Sequence, residues 1–176
     1  NFSPGLSNED HITLELSGVQ VIFKSLDVSG VNLYVHNINN DDIGGIKLST
    51  KLIIQGGYHD FYDNTMEGGV LHVEAGDITF IDASMNFKNN KSRTTSSAAI
   101  ISNTLIISDS DIDFSNNYII NPLKDQTGGA IYTGSILHIT GGNINFYNNR
   151  NGEEAGGAIF GGGEFVFSDT RMIFKN

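Results

Sequence analysis

The chain has 176 residues, a length that fits one domain with a continuous core. It contains no cysteine, so disulfides and thiolate metal sites are excluded. Ten basic residues against twenty acidic ones give a net charge of −10, which disfavours binding to nucleic acid or anionic lipid by bulk attraction. No run of about 18 apolar residues is present, so the sequence predicts no membrane-spanning helix.

Residues 11–37 alternate apolar and polar side chains, the pattern of strands with one buried face. We expect residues 1–43 to form atypical first coils or a cap of a repetitive structure, because terminal repeats must cover one end of the core. Two alignments with the later repeats are open. Phe23 or Leu33 would stand where each later repeat has a phenylalanine, and Leu26 or His36 where each has an asparagine.

From residue 44 onward a unit of two motifs recurs. The first is Gly-Gly-Ala followed by an aliphatic residue, complete at residues 128–131 and 156–159 and partial elsewhere. Its small pairs are Gly44-Gly45, Gly68-Gly69, Ser96-Ser97, Gly128-Gly129 and Gly156-Gly157. The second is Phe-x-x-Asn, which supplies Phe61 with Asn64, Phe87 with Asn90, Phe114 with Asn117 and Phe146 with Asn149, and ends on Phe174. The phenylalanines are 26, 27, 32 and 28 residues apart, a period typical of a solenoid.

This unit predicts an all-β fold: a right-handed parallel β-helix with three strands per coil and about six coils. Phenylalanines stacked about 4.8 Å apart would form a buried column, and the asparagines a ladder of amides. Glycine pairs suit a corner that needs positive φ or a close approach of neighbouring coils. Five residues before each phenylalanine stands Gly56, Asp82, Asp109, Gly141 or Asp169, an exchange of Asp and Gly that indicates a turn.

Two insertions interrupt the period, at residues 90–96 and 118–127. Insertions in repeat proteins map to loops, often on the binding face. Because the repeated motifs are committed to the interior, we expect Lys91, Arg93, Tyr118 and Lys124 to be the side chains that contact a partner. The alternative is that the second insertion, with its apolar Tyr118, Ile119 and Ile120, folds back and packs.

The acidic and histidine residues do not form a catalytic pattern. Asp111 and Asp113 alternate with Ile112 and Phe114, so we expect them to point outward from a strand rather than wrap a calcium ion. His59 stands two residues before Phe61, where other repeats have Met or Ile, and is predicted to face the core with a local partner. We predict no cofactor, no metal and no enzymatic activity, although parallel β-helices also include polysaccharide-active enzymes.

The two motifs alternating over residues 44–176 resemble those of the chlamydial polymorphic membrane proteins. That family looks like type V autotransporters, with a β-helical passenger and a C-terminal outer-membrane barrel. The resemblance implies that this chain is a segment of a longer passenger, placed at the bacterial surface or secreted after processing.

The resemblance further implies attachment to a host-cell receptor, protein or glycan. The open alternatives are a spacer without binding activity and a polysaccharide-active enzyme. Because the end coils of a solenoid segment expose strand edges, self-association through them is a further expectation.

Overall fold

The structure is a computed structural model that describes residues 12–39, 41, 44–93, 97–121, 128–152 and 157–175. All regular elements in these residues are β-strands. They are β1 (Ile12–Ser17), β2 (Val21–Ser29), β3 (Val31–His36), β4 (Ile46–Gln55), β5 (Tyr58–Tyr62), β6 (Thr65–Met66), β7 (Leu71–Val73), β8 (Asp77–Ile81), β9 (Ser84–Lys88), β10 (Lys91–Ser92), β11 (Ile100–Ser108), β12 (Asp111–Ser115), β13 (Tyr118–Ile119), β14 (Ile131–Thr140), β15 (Asn143–Tyr147), β16 (Arg150–Asn151), β17 (Ile159–Gly161), β18 (Glu164–Ser168) and β19 (Arg171–Lys175).

The strands form three parallel sheets that make the three sides of a solenoid. One sheet has seven strands in the order β1-β3-β5-β9-β12-β15-β19. A second has eight strands along the path β2-β4-β7-β11-β14-β17, with β8 and β18 in line with β7 and β17. The third has four strands, β6-β10-β13-β16. The chain passes from the eight-stranded to the seven-stranded to the four-stranded sheet once per coil, as in a parallel β-helix.

Five coils visit all three sides within the described residues, the first of them through a bridge between Asn39 and Thr65. Strand β1 adds one side below them, and β17 to β19 add two sides above. The predicted fold and the approximate number of coils are therefore confirmed. The right-handed sense remains a prediction.

The three sides do not correspond to the three strands read from the sequence. The first two predicted strands lie on the same side, because the chain shifts register between them without turning, as between Ser102 and Thr104. The third side consists of the two-residue strands that follow each asparagine. A register shift of this kind leaves the chain in the same sheet, whereas a corner takes it to the next sheet.

Residues with positive φ mark two of the corners. The first is the Asp or Gly position five residues before each phenylalanine, where Asp82 and Asp109 both have φ of 49° and Gly141 has 69°. The predicted turn is therefore confirmed. The second corner lies two residues after the phenylalanine, at Asp63, Asn89, Asn116 and Asn148, and at Asn37 of the first coil, two residues after Val35. Asn and Asp tolerate this left-handed region better than other residues with side chains.

The phenylalanine column forms the centre of the core. Phe61, Phe87, Phe114 and Phe146 are buried, and their ring centroids are 4.6, 4.9 and 5.0 Å apart in successive coils. Phe174 continues the stack at 4.8 Å but is 57% exposed, which corrects the expectation that all five are buried. It lies on β19, and no described strand covers the outer side of β19.

In the first coil the column is occupied by Val35, which pairs with Phe61. The two proposed alignments were wrong: Leu33 pairs with His59, and Phe23 lies in the eight-stranded sheet opposite Leu48. At the first coil, therefore, the column position is filled by an aliphatic side chain rather than by a phenylalanine.

The asparagines form the predicted ladder. The Asn64 side chain donates to Asn90, Asn90 to Asn117 and Asn117 to Asn149, each at 2.9 Å. Each amide also donates to the carbonyl of the column residue one coil earlier, as Asn117 does to Phe87. At the first coil the backbone N–H of Ile38 donates to the Asn64 amide oxygen, so Ile38 stands in place of asparagine, not Leu26 or His36.

The glycine pair of the fifth coil, Gly128-Gly129, is required by close approach rather than by positive φ. A side chain on Gly129 would lie 2.4 Å from the carbonyl oxygen of Gly157 and 2.8 Å from the backbone nitrogen of Arg150. Coil four places Ser97 and Ala98 there, one residue later than the sequence alignment, because Ile100 pairs with Ile131. Gly156 lies outside the described residues.

Candidate functional site

The two predicted binding insertions begin on regular strands, not in loops. Lys91 belongs to β10 and Tyr118 to the adjacent β13, where the two residues pair. Ile119 is fully buried. The insertions are therefore confined to the chain between the four-stranded sheet and the next strand of the eight-stranded sheet. Lys124 and the remaining residues of that loop, 122–127, lie outside the described residues, as do residues 94–96.

The four-stranded sheet brings Lys91 and Tyr118 into one outward row with Arg150, which pairs with Tyr118 on β16. Sequence reasoning missed Arg150, although it stands one residue after Asn149, just as Lys91 follows Asn90 and Tyr118 follows Asn117. We call these three residues the basic row.

Arg93 does not extend the basic row. Its guanidinium donates to the side chain of Asn39 at 2.9 Å and lies 3.5 Å from an Asp41 carboxylate oxygen. These contacts join coils that are far apart in sequence. Arg93 therefore has a structural role that its place in a predicted loop did not reveal.

A shallow groove of about 840 Å³ runs along the outer face of the seven-stranded sheet, from β5 to β19. We call it the axial groove. Its walls are built from the residues on either side of each column phenylalanine, because side chains alternate between faces along a strand. Its charged and aromatic outward residues are Tyr58, Asp60, Tyr62, Asp63, Lys88, Asp113, Tyr147, Arg171 and Lys175.

One wall of the axial groove is formed by the carboxylate or amide residue that precedes the column phenylalanine on each of strands β5, β9, β12 and β15. The Asn86 amide donates to Asp60 at 2.8 Å and to the Tyr58 hydroxyl at 2.6 Å. The Asn145 amide donates to Asp113 at 2.6 Å. These bonds fix the side chains in an orientation that does not depend on a ligand.

Asp111 and Asp113 are exposed on β12, as predicted from their alternation with Ile112 and Phe114. Each accepts a hydrogen bond from an asparagine of the next coil, Asn143 at 2.7 Å and Asn145 at 2.6 Å. Within the described part of the chain, no group of three or more His, Asp or Glu side chains is placed to hold a metal ion.

The other wall is formed by the residue that follows the column phenylalanine on each strand. These residues are Tyr62, Lys88, Ser115, Tyr147 and Lys175. Tyr62 stacks on the His36 ring below it, with centroids 4.9 Å apart and planes 2° from parallel. Tyr147 is 54% exposed. The Ser115 side chain is shorter than those of Lys88 and Tyr147 on either side of it, so the wall of the groove is lower at this strand.

Burial and charge shift the pKa of a few groups near the core and the groove. Burial, and then the nearby Asp60 carboxylate, raise the pKa of the Tyr58 hydroxyl. Burial lowers the pKa of His59, which is fully buried below the groove and whose Nε2 lies 2.8 Å from the Gly56 carbonyl oxygen. The prediction of a core-facing His59 with a local partner is therefore confirmed.

On the eight-stranded sheet, burial and the Lys47 ammonium lower the pKa of His72, while the hydrogen bond and charge of Lys47 lower the pKa of Glu74. Lys47 and Glu74 form an ion pair at 2.7 Å on the surface. None of His72, Lys47 and Glu74 lines the axial groove, so these three side chains do not contribute to its charge.

The axial groove was the surface that sequence reasoning did not identify. Its signal was present: the residues flanking Phe61, Phe87, Phe114 and Phe146 are all polar or aromatic. They differ from one coil to the next, however, whereas the interior positions repeat. The repeat pattern therefore predicted the core residues and did not indicate the groove.

Comparison with known proteins gives no match to a family model, to a curated protein or to a solved structure. Among the described residues, no helix has the length and hydrophobicity to span a membrane.

Proposed function

We propose that this chain is a segment of the passenger of a bacterial type V autotransporter and attaches the bacterium to host cells without catalysing a reaction. In this proposal the passenger is displayed at the outer membrane or released after processing. The axial groove is the attachment surface.

The groove is the observation that carries the proposal. It extends over five strands and presents exposed hydrogen-bonding and aromatic side chains, such as Tyr147 and Lys88. On the facing wall, contacts such as Asn145 to Asp113 and Asn86 to Asp60 hold the polar side chains in place before any partner arrives. A pre-ordered surface loses little conformational entropy on binding, which favours recognition over a merely solvated face.

The secretion route and the host target rest on the resemblance of the Gly-Gly-Ala and Phe-x-x-Asn motifs to the polymorphic membrane proteins. The motifs themselves do not contact a partner in this proposal, because Phe114 and Asn117 are fully buried. Recognition falls to the side chains between them.

A spacer is the second candidate, favoured by the internal ladders. The stacked phenylalanines and the Asn64 to Asn149 ladder tie every full coil from the second onward to its neighbour. A rod held in this way could keep another part of a passenger away from the cell without binding anything itself.

The two candidates differ in whether the isolated chain binds cells. Beads coated with the purified chain are incubated with epithelial cells, and attached beads are counted against beads coated with albumin. We expect attachment that the soluble chain inhibits in a concentration-dependent way. Attachment at the albumin level by a chain with β-sheet circular dichroism and cooperative melting would overturn the proposal and leave the spacer.

A further inference from the structure

We infer that the axial groove binds an uncharged, linear polysaccharide that lies along the solenoid axis, with about one sugar unit over each strand. This inference rests on the proposed function, because it names the chemical class of the partner that the attachment surface would recognise.

The charges of the groove favour an uncharged occupant. The groove is lined by three carboxylates, of Asp60, Asp63 and Asp113, and by three cationic side chains, of Lys88, Arg171 and Lys175. The two signs therefore balance here, although the whole chain carries a net charge of −10. A polyanion would meet carboxylates along its length and a polycation would meet ammonium and guanidinium groups, whereas a neutral chain meets no like charge.

The hydrogen-bonding groups suit hydroxyls. A carboxylate offers about four lone-pair sites, so Asp60 and Asp113 keep acceptor capacity after accepting one amide N–H each. Acceptors and amides alternate along the row at the strand spacing of about 4.8 Å. An extended chain of pyranose rings advances by a closely similar distance per sugar, so the hydroxyls of successive sugars would meet a carboxylate and an amide in turn on successive coils.

The tyrosines supply the second element of sugar recognition. Tyr147 is 54% exposed and stands next to Ser115, whose short side chain leaves room beside the ring. A tyrosine ring gives a large, rigid apolar surface at low entropic cost, onto which the C–H face of a sugar can pack. Tyr62 lies three strands away in the same row, with one face of its ring covered by His36.

A protein partner fits the groove less well. Strands β5, β9, β12 and β15 are paired on both sides, so their backbones offer no free edge to an added strand. The groove is also shallow and open, and its lining does not form the buried apolar pocket in which protein hot spots cluster.

Calorimetric titration of the whole chain tests the inference. The probes are the hexasaccharides and disaccharides of β-1,4-linked glucose, β-1,4-linked galactose, β-1,4-linked mannose and β-1,3-linked glucose, with a heparin hexasaccharide as the anionic probe. We expect at least one neutral hexasaccharide to bind, about tenfold or more tighter than its disaccharide, because the groove spans several sugar lengths. Tyr147→Ala should weaken this binding by about tenfold, and Ser115→Trp, which fills the groove, should abolish it.

Tyr118→Ala, on the basic row of another side, is the matched control and should leave the affinity unchanged. Binding of none of the neutral hexasaccharides, tighter binding of heparin than of any of them, or equal effects of Tyr118→Ala and Tyr147→Ala would overturn the inference. Failure of the proposed function is separable. If beads attach to cells but no neutral glycan binds, the partner is of another class; if a glycan binds but beads do not attach, the adhesin proposal fails and the glycan site stands.

Discussion

The stability of each coil depends on a few buried residues that repeat at one position. Phe114 has a phenylalanine ring on both sides, at centroid distances of 4.9 and 5.0 Å. Phe174 has a ring on one side and is 57% exposed. Phe114 and Phe174 are therefore the same residue type in the same column at different burial. A comparison of the two shows what burial alone contributes to stability.

Replacing Phe114 with Ala should lower the free energy of unfolding by about 3–5 kcal/mol, because the change leaves a cavity in a close-packed stack. The same change at Phe174 should cost less than about 1.5 kcal/mol. Urea denaturation followed by circular dichroism measures both. Equal costs for the two variants would contradict a column that is packed in its middle and open at β19.

His59 makes the stability depend on pH. Burial lowers its pKa in the folded state, while the unfolded chain keeps a pKa near the ordinary value of about 6.5. Above that pH both states are neutral at this site and the stability is fully present. Below it the unfolded chain binds a proton that the folded chain binds more weakly, so stability is lost as the pH falls, by at most about 1.4 kcal/mol per pH unit.

His59→Met tests this dependence, because Met85 occupies the same position one coil later. The variant should lose less stability than the parent between about pH 7.5 and pH 5.5. His72 is unchanged in both proteins, so its contribution cancels in the comparison. Parallel stability profiles for parent and variant would show that His59 does not titrate differently on unfolding.

At the scale of the element, the asparagine ladder holds one corner of successive coils together. The amide of Asn117 accepts from the backbone and side chain of Asn90 and donates to Asn149 and to the Phe87 carbonyl. All four partners lie away from water. Removing the amide therefore leaves several buried polar groups without a partner at once.

Asn117→Ala should cost about 3 kcal/mol or more, because each orphaned buried group costs about 1–3 kcal/mol. Asn143→Ala, which removes an exposed amide bonded to Asp111, should cost less than about 1 kcal/mol. Thermal and urea unfolding of the two variants side by side measures the difference. A loss for Asn117→Ala as small as that for Asn143→Ala would rule out a structural role for the ladder.

How far the elements could be predicted depended on their length. Strands such as β12 and β15 are long enough to show alternation, and each places Phe114 or Phe146 on the inner face, so the column and the ladder could be predicted. The two-residue strands β10 and β13 are too short to show a period. Alternation shows whether a side chain faces inward or outward, but not where the chain turns. The sequence therefore predicted two sides of the solenoid where the structure has two segments of one side.

The candidate site was less predictable for a related reason. Interior positions repeat because every coil meets the same neighbours, whereas the groove positions vary between Asp60, Asn86, Asp113 and Asn145. Their hydrogen bonds exist only between coils and have no local signature. The insertion at residues 118–127 predicted a binding loop that begins at Tyr118, whereas the structure places Tyr118 on a strand.

At the scale of the whole molecule, the solenoid presents three outer faces of different character. The basic row lies on the four-stranded sheet, and the axial groove lies on the seven-stranded sheet. Deleting residues 91–95 and 118–125 would remove β10 and β13, so that change tests folding rather than binding. Substitutions of outward side chains compare the two surfaces without removing any strand.

The most direct measurement is the number of coated beads that attach to epithelial cells for two double variants. Lys88→Ala with Tyr147→Ala alters the axial groove, and Lys91→Ala with Tyr118→Ala alters the basic row by the same two residue types. With melting and circular dichroism unchanged in both, the groove variant should fall to the albumin level and the row variant should attach like the parent. Full attachment by the groove variant, or loss confined to the row variant, would contradict the account.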